Sequence, residues 1–148
     1  MDGIKKTDQM HVIDFMKPAA AISQDTEISK ALKLLKNTDS GFLSVVDGEH
    51  ILIGAVSENN FIRLVRNTPA SPLEEYVWYD EISQEDGKKP VGDIMTANIT
   101  TVRPNDDIKT TLKVMNSGSY RLIHVTDADG KLLGVIRLSD IFEKLLEV

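Results

Sequence analysis

The side chains that could do chemistry in this chain are few, and their spacing argues against catalysis. His11, His50 and His124 stand far apart, with no pair at metal-ligand spacing. There is no cysteine, which removes disulfides, zinc-thiolate and iron-sulfur sites and thiol nucleophiles together. No glycine-rich phosphate loop and no nucleophile elbow occurs. The groups that remain suit binding rather than turnover. Arg103, Arg121 and Arg137 collect in one stretch of a chain with seventeen Lys+Arg against twenty-three Asp+Glu and a formal net charge of -6. Guanidinium groups gathered in acidic surroundings read either as a seat for an anion or as solvated surface. Asp140 follows Arg137 by three residues, near a predicted helix start where a carboxylate also favours the helix dipole. Ser57 and Asn60 stand at the same spacing before an earlier predicted helix, where they read equally as a cap.

The elements that must position these groups form an internal repeat. Val12, Asp14 and Met16 recur as Val91, Asp93 and Met95 at one offset. After a one-residue gap near Ala20 the offset grows by one and holds through Ile28/Ile108, Leu32/Leu112, Val45/Val125, Asp47/Asp127, Leu52/Leu132 and Gly54/Gly134. In the second copy, Ile108, Thr111, Leu112 and Met115 follow helical spacing, with Gly118 as the expected stop. Leu122 to Val125 and Leu132 to Ile136 flank the turn Asp127-Ala128-Asp129-Gly130 as a hairpin, and a last helix carries Ile141, Phe142, Leu145 and Leu146. The first copy repeats the pattern through Ile28 to Leu35, Phe42 to Val46, Ile51 to Val56, and Phe61 to Val65. A short extended piece, Ala21-Ile22 or Thr101-Val102, precedes each copy. The fold expected is α/β in the mixed α+β sense, two β-α-β-β-α units packed pseudo-symmetrically. Its divisions are an N-terminal segment 1–11, a first repeat 12–66, a linker 67–90 and a second repeat 91–148.

Composition bounds the function further. With 148 residues, 41% hydrophobic and 27% charged, the chain has a globular balance, and each copy is of a size that is marginal alone. The acidic balance without a basic run makes nucleic acid an unsuitable partner. No apolar run is long enough to span a membrane, and the first residues lack the apolar stretch of a signal peptide, so a cytoplasmic location is expected. Each repeat is almost neutral, whereas residues 67–90 hold two basic and six acidic residues. In that linker Ser71-Pro-Leu-Glu74 has a capping-box pattern with proline at the first helical position. The pattern predicts a short helix with Leu73, Tyr76 and Val77 on one face, carrying Trp78 beside Tyr79. These aromatics would cover an outer edge or contact a partner.

The stretches Val91-Gly-Asp-Ile-Met-Thr96, Thr101-Val102 and Gly134-Val-Ile-Arg-Leu-Ser-Asp140 resemble a cystathionine-beta-synthase (CBS) domain. Val12-Ile-Asp-Phe-Met16 and Gly54-Ala-Val-Ser-Glu-Asn-Asn60 carry the same resemblance in the first copy, and two such domains in tandem are similar to a Bateman module. The resemblance implies a regulatory, non-catalytic module that binds AMP, ADP or ATP, or S-adenosylmethionine, in the cleft between repeats, without a resident cofactor or metal. In the family the turn before the last helix places a hydroxyl toward phosphate and, three residues on, a carboxylate toward the ribose diol. The second copy keeps Asp140 but has Arg137 in the hydroxyl position; the first keeps Ser57 but has Asn60 in the carboxylate position. The resemblance further assigns base contacts to Ile99, Thr100, Thr101, Arg121, Leu122, Ile123 and His124. A weaker site is implied at Ala20, Ala21, Ser44, Ser57 and Asn60. Many members have proline where His124 and Ser44 stand. The expectation is that the Arg137–Asp140 site dominates affinity and that two modules pair into a homodimer through their helices. The rival expectation is a protein-interaction module with empty or degenerate clefts, docking a partner through the linker helix.

Overall fold

The computed structural model describes residues 9–69 and 78–146. The first repeat runs β1 (Ala21–Ser23), α1 (Ile28–Lys36), β2 (Phe42–Val46), β3 (Leu52–Ser57) and α2 (Asn59–Ile62). Then come β4 (Arg66–Pro69), β5 (Trp78–Glu81), α3 (Gln84–Gly87) and β6 (Thr96–Ala97). The second repeat follows as β7 (Thr101–Val102), α4 (Ile108–Gly118), β8 (Leu122–Thr126), β9 (Leu132–Arg137) and α5 (Leu138–Leu146). Short 3-10 turns at Val12–Asp14 and Val91–Asp93 precede the two repeats. The expected mixed α+β tandem is the fold observed.

Local sequence accounts for most of these elements. Helix α1 buries Ile28, Ala31 and Leu35, and α4 buries Ile108, Thr111 and Met115, the stripe that helical spacing requires. The Asp107 carboxylate caps α4 by accepting from the Thr110 amide at 2.6 Å. The left-handed residue that ends α4 is Ser119 (φ 55) rather than Gly118. A Cβ at Gly118 would meet the Tyr120 ring, which would have to move aside. Both hairpins turn on an aspartate: Asp47 Oδ1 accepts from the Glu49 and Ile51 amides at 2.9 and 3.0 Å, and Asp127 Oδ1 from Asp129 and Lys131 at the same two distances.

The tertiary arrangement departs from the sequence repeat in an informative way. Strands β1, β2 and β3 form a sheet whose fourth strand is β6, from the segment that enters the second repeat. Reciprocally, Lys17, which enters the first repeat, pairs with Val135 beside the β7-β8-β9 sheet. The cores follow the same exchange. Val91 and Ile94 are buried with Ile22, Ile28, Leu35 and Val56, while Val12 and Phe15 are buried with Val102, Ile108, Ile123 and Ile136. Each core therefore draws two large side chains from the segment leading into the other repeat. At about 1.5–3 kcal/mol per buried side chain, neither repeat can be withdrawn without cost to its twin. The boundaries that a repeat search marks at Val12 and Val91 are thus not boundaries of packing. The hairpin turns also meet across the pseudo-two-fold axis, with Leu52 N donating to Gly130 O at 3.0 Å and Leu132 N to His50 O at 3.1 Å.

The linker corrects one expectation. Trp78 and Tyr79 are placed in strand β5, opposite Pro69 and Thr68 of β4, and not on a helix. The rest of the helix predicted from Ser71 lies outside the described residues. A helical turn does form later, at Gln84–Gly87, where the Ser83 side chain accepts from the Asp86 amide.

Candidate functional site

Where β3 passes into α2, Ser57 and Asn60 close a tight turn. Asn60 Oδ1 accepts from the Ser57 amide at 2.8 Å and from the Ser57 hydroxyl at 3.3 Å. Its Nδ2 donates to the Ile94 carbonyl at 2.7 Å and to Thr96 Oγ1 at 3.0 Å. Asn60 is buried, and its amide holds the α2 start to the segment entering the second repeat. The neutral amide at this position is what allows one side chain both to accept and to donate.

This turn faces the second repeat across a cavity of about 160 Å³. Ala55, Val56, Phe42, Ile99 and Leu122 give it apolar walls, and Ser57, Asn60, Thr96, Thr100, Tyr120 and His124 give it polar ones. Thr100 Oγ1 and the Tyr120 hydroxyl lie 3.0 Å apart at its mouth. His124 is buried, with Nδ1 2.9 Å from Ser44 Oγ, and burial alone pushes its pKa down to about 4, so the imidazole is neutral near pH 7. Ser44 and His124 are counterparts in the repeat, and they meet on the pseudo-two-fold axis. Among the described residues no buried side-chain nitrogen or oxygen lacks a partner. His124 Nε2, which no group among the described residues engages, therefore keeps access to the cavity that the residue lines. The result is a slot with apolar faces and neutral hydrogen-bonding edges, suited to a planar heterocycle with donors and acceptors around its rim.

A second cavity, of about 370 Å³, shares Phe42 and Leu122 with the first and is lined also by Asp39, Arg121, Arg137 and Ser139. Here the cationic groups collect. Arg137 Nε and Nη2 donate to Asp140 Oδ2 and Oδ1 at 2.8 and 3.0 Å, a two-pronged ion pair. The hydrogen bond from Arg137 holds the Asp140 carboxyl below its ordinary range, and the same bond raises Arg137. Arg137 also lines a third cavity of about 430 Å³, with Lys17, Ala20, Thr38, Asp39 and Val135. Asp140 lines neither cavity and instead borders a shallow one beside Asp14, Lys17 and Glu143.

These placements divide the grouping that the sequence suggested. The Ser57–Asn60 turn meets Ile99, Thr100, Leu122 and His124 from the other repeat, whereas Arg137 meets Ala20 in one cavity and Arg121 and Leu122, with which it was grouped, in another. Each cleft combines the turn of one repeat with the wall of its twin, because the entering segments are exchanged. Arg137 and Asp140 do not open toward one ligand; they grip each other. Ile123 faces the second core, since alternate residues of β8 point to opposite sides. Thr101 and Ala21 are exposed strand residues outside the cavities, each the register partner of His124 or Ser44. Ser44 acts behind the wall, through His124. Arg103 lies outside the cavities of Arg121 and Arg137. Phe42, Thr96 and Tyr120 line the site without having been singled out in sequence. Thr96 was legible as the residue after the recurring Met16/Met95, whereas Tyr120 had no signal.

The family model of the CBS domain matches residues 12–67 and again residues 91–147. The chain is 27% identical over 150 residues to the chloroplastic CBS domain-containing protein CBSX2 of Arabidopsis thaliana, covering 91% of this chain and 63% of that protein. It therefore spans less than two thirds of that relative's length. Among solved structures, CBSX2 in complex with AMP superposes with a TM-score of 0.74 at 26% identity, over 93% of this chain and 97% of that one. Protein MJ1004 of Methanocaldococcus jannaschii superposes with a TM-score of 0.75 at 25% identity, over 92% of this chain and 59% of that one.

Proposed function

Because the chain belongs to the CBS domain family and carries two copies of that domain, we propose that it is a regulatory module sensing an adenine nucleotide, of the AMP, ADP or ATP class, between its repeats. The observation that carries the reading is the slot between the Ser57–Asn60 turn and the Ile99–His124 wall, uncharged inside and bordered by the cavity of Arg121. Adenine fits between Ala55 and Leu122, with Thr100, Tyr120 and His124 Nε2 as edge partners; the ribose lies toward Ser57, and the phosphate runs past Phe42 toward Arg121. CBSX2, whose structure contains AMP, supports this assignment. Binding regulates only if it favours one arrangement of the module over another, since equal affinity for both shifts nothing. Ile62 and Phe142, counterparts on α2 and α5, are 64% and 50% exposed. Such apolar helix faces support a homodimer, the commonest closed assembly, and light scattering at twice the chain mass tests it.

Thermal unfolding with AMP, ADP, ATP and S-adenosylmethionine tests the main reading. At about a hundred times its dissociation constant a ligand adds about 2.7 kcal/mol, or about 5–10 °C in Tm for a chain of this length. If no nucleotide raises Tm, the slot is empty in use and the module falls to the protein-interaction class.

A further inference from the structure

The two clefts should be twins under the pseudo-two-fold axis, and they are not. Ser57 corresponds to Arg137, Asn60 to Asp140, and Thr96 to Lys17. In the first cleft the small Ser57 side chain leaves the turn open, and Asn60 itself lines the cavity. In the second, the longer Arg137 side chain folds back across its own turn onto Asp140, through hydrogen bonds of 2.8 and 3.0 Å. It lines the cavity of about 430 Å³ that faces Ala20, Thr38 and Val135, and Asp140 does not reach that cavity. The two side chains differ in exposure as a stopper and its seat would, 28% for Arg137 against 11% for Asp140. A ribose diol entering here would have to replace a charge-assisted, two-pronged pair with neutral hydroxyl contacts, the weaker kind of bond.

We propose that Arg137 closes the second cleft, so that the chain takes one nucleotide, at the Ser57–Asn60 cleft, and that Arg137 is the residue that sets this stoichiometry. The ligand class rests on the reading given under Proposed function; the closure rests on the geometry of the ion pair. Replacing Arg137 with serine restores the side chain present in the first copy and frees both Asp140 oxygens, making a second site.

The test is titration calorimetry of the full chain with AMP. One site per chain in the wild type and two in Arg137→Ser is the expected result. Two sites in the wild type, or an unchanged count in a folded Arg137→Ser, overturns the closure. If the wild type binds nothing and Arg137→Ser binds one AMP, the nucleotide reading of the first cleft fails while the closure stands; if neither binds, the closure fails as well. A wild-type measurement guards against a variant that does not fold. Amide shifts on adding AMP should appear at Ser57, Asn60, Thr100 and His124 and be absent at Ala20, Thr38 and Val135. Comparable shifts in both sets overturn the proposal.

Discussion

His124 makes stability depend on pH in a way that can be worked out in advance. His124 is 4% exposed, and burial alone lowers its pKa from 6.5 to about 4, with no charged group acting on it. Above pH 6.5 the imidazole is neutral folded and unfolded, so it contributes no dependence. Between 6.5 and 4 the unfolded chain takes up a proton that the folded chain refuses, and stability falls as pH falls. At pH 5 the loss is about 2 kcal/mol, approaching about 3 kcal/mol below pH 4, from about 1.4 kcal/mol per pKa unit. Urea unfolding of the wild type and of His124→Asn at pH 7.5 and pH 5 isolates this contribution. Asparagine keeps a hydrogen-bonding atom near Ser44 Oγ but does not titrate, and the surface carboxylates are common to both proteins. The wild type should lose about 2 kcal/mol more than the variant on acidification. Parallel pH profiles would falsify the claim that a neutral imidazole is held between the sheets.

Three further outcomes follow from the contacts at the clefts. Asn60→Ala strands the Ser57 amide and leaves the Ile94 carbonyl only the longer bond from Arg63 Nη2, at 3.2 Å, and should cost about 1–3 kcal/mol in urea unfolding; a cost below about 0.5 kcal/mol would mean that the staple between repeats is idle. Gly134→Ala would set a Cβ 2.5 Å from the Lys17 carbonyl oxygen, and Gly54→Ala one 2.8 Å from both Met95 Sδ and Thr96 O. Each should destabilise by about 1–3 kcal/mol, and a neutral result at either position refutes the close approach of the exchanged segments. Arg121→Ala should weaken AMP more than adenosine in calorimetry, because the arginine lines only the anion-facing cavity; equal losses would remove it as the phosphate partner.

Much of this molecule is legible without coordinates, because its elements are set by short-range patterns. The stripe Ile28, Ala31, Leu35 and its counterpart Ile108, Thr111, Met115 specify two amphipathic helices by spacing alone. The Asp47 and Asp127 turns specify two hairpins through bonds spanning at most four residues. Duplication of these patterns was enough to reveal a tandem and its family. The polar turns were legible too, since Ser57 with Asn60 and Arg137 with Asp140 bond within three residues.

What these turns face was decided only by tertiary structure. The exchange of Val12, Phe15 and Lys17 for Val91, Ile94 and Thr96 between the two halves joins each turn to the other repeat's wall. No local pattern encodes that pairing, because the contacts that make it, such as Asn60 to Ile94 and Ser44 to His124, lie 34 and 80 residues apart. The same holds for the asymmetry of the clefts. Sequence shows an arginine and an aspartate three residues apart, a spacing equally able to grip a ligand or to close on itself. The choice between the two is an energetic comparison made in the folded chain, where Asp140 is largely shielded from water and its nearest strong donor is the Arg137 guanidinium.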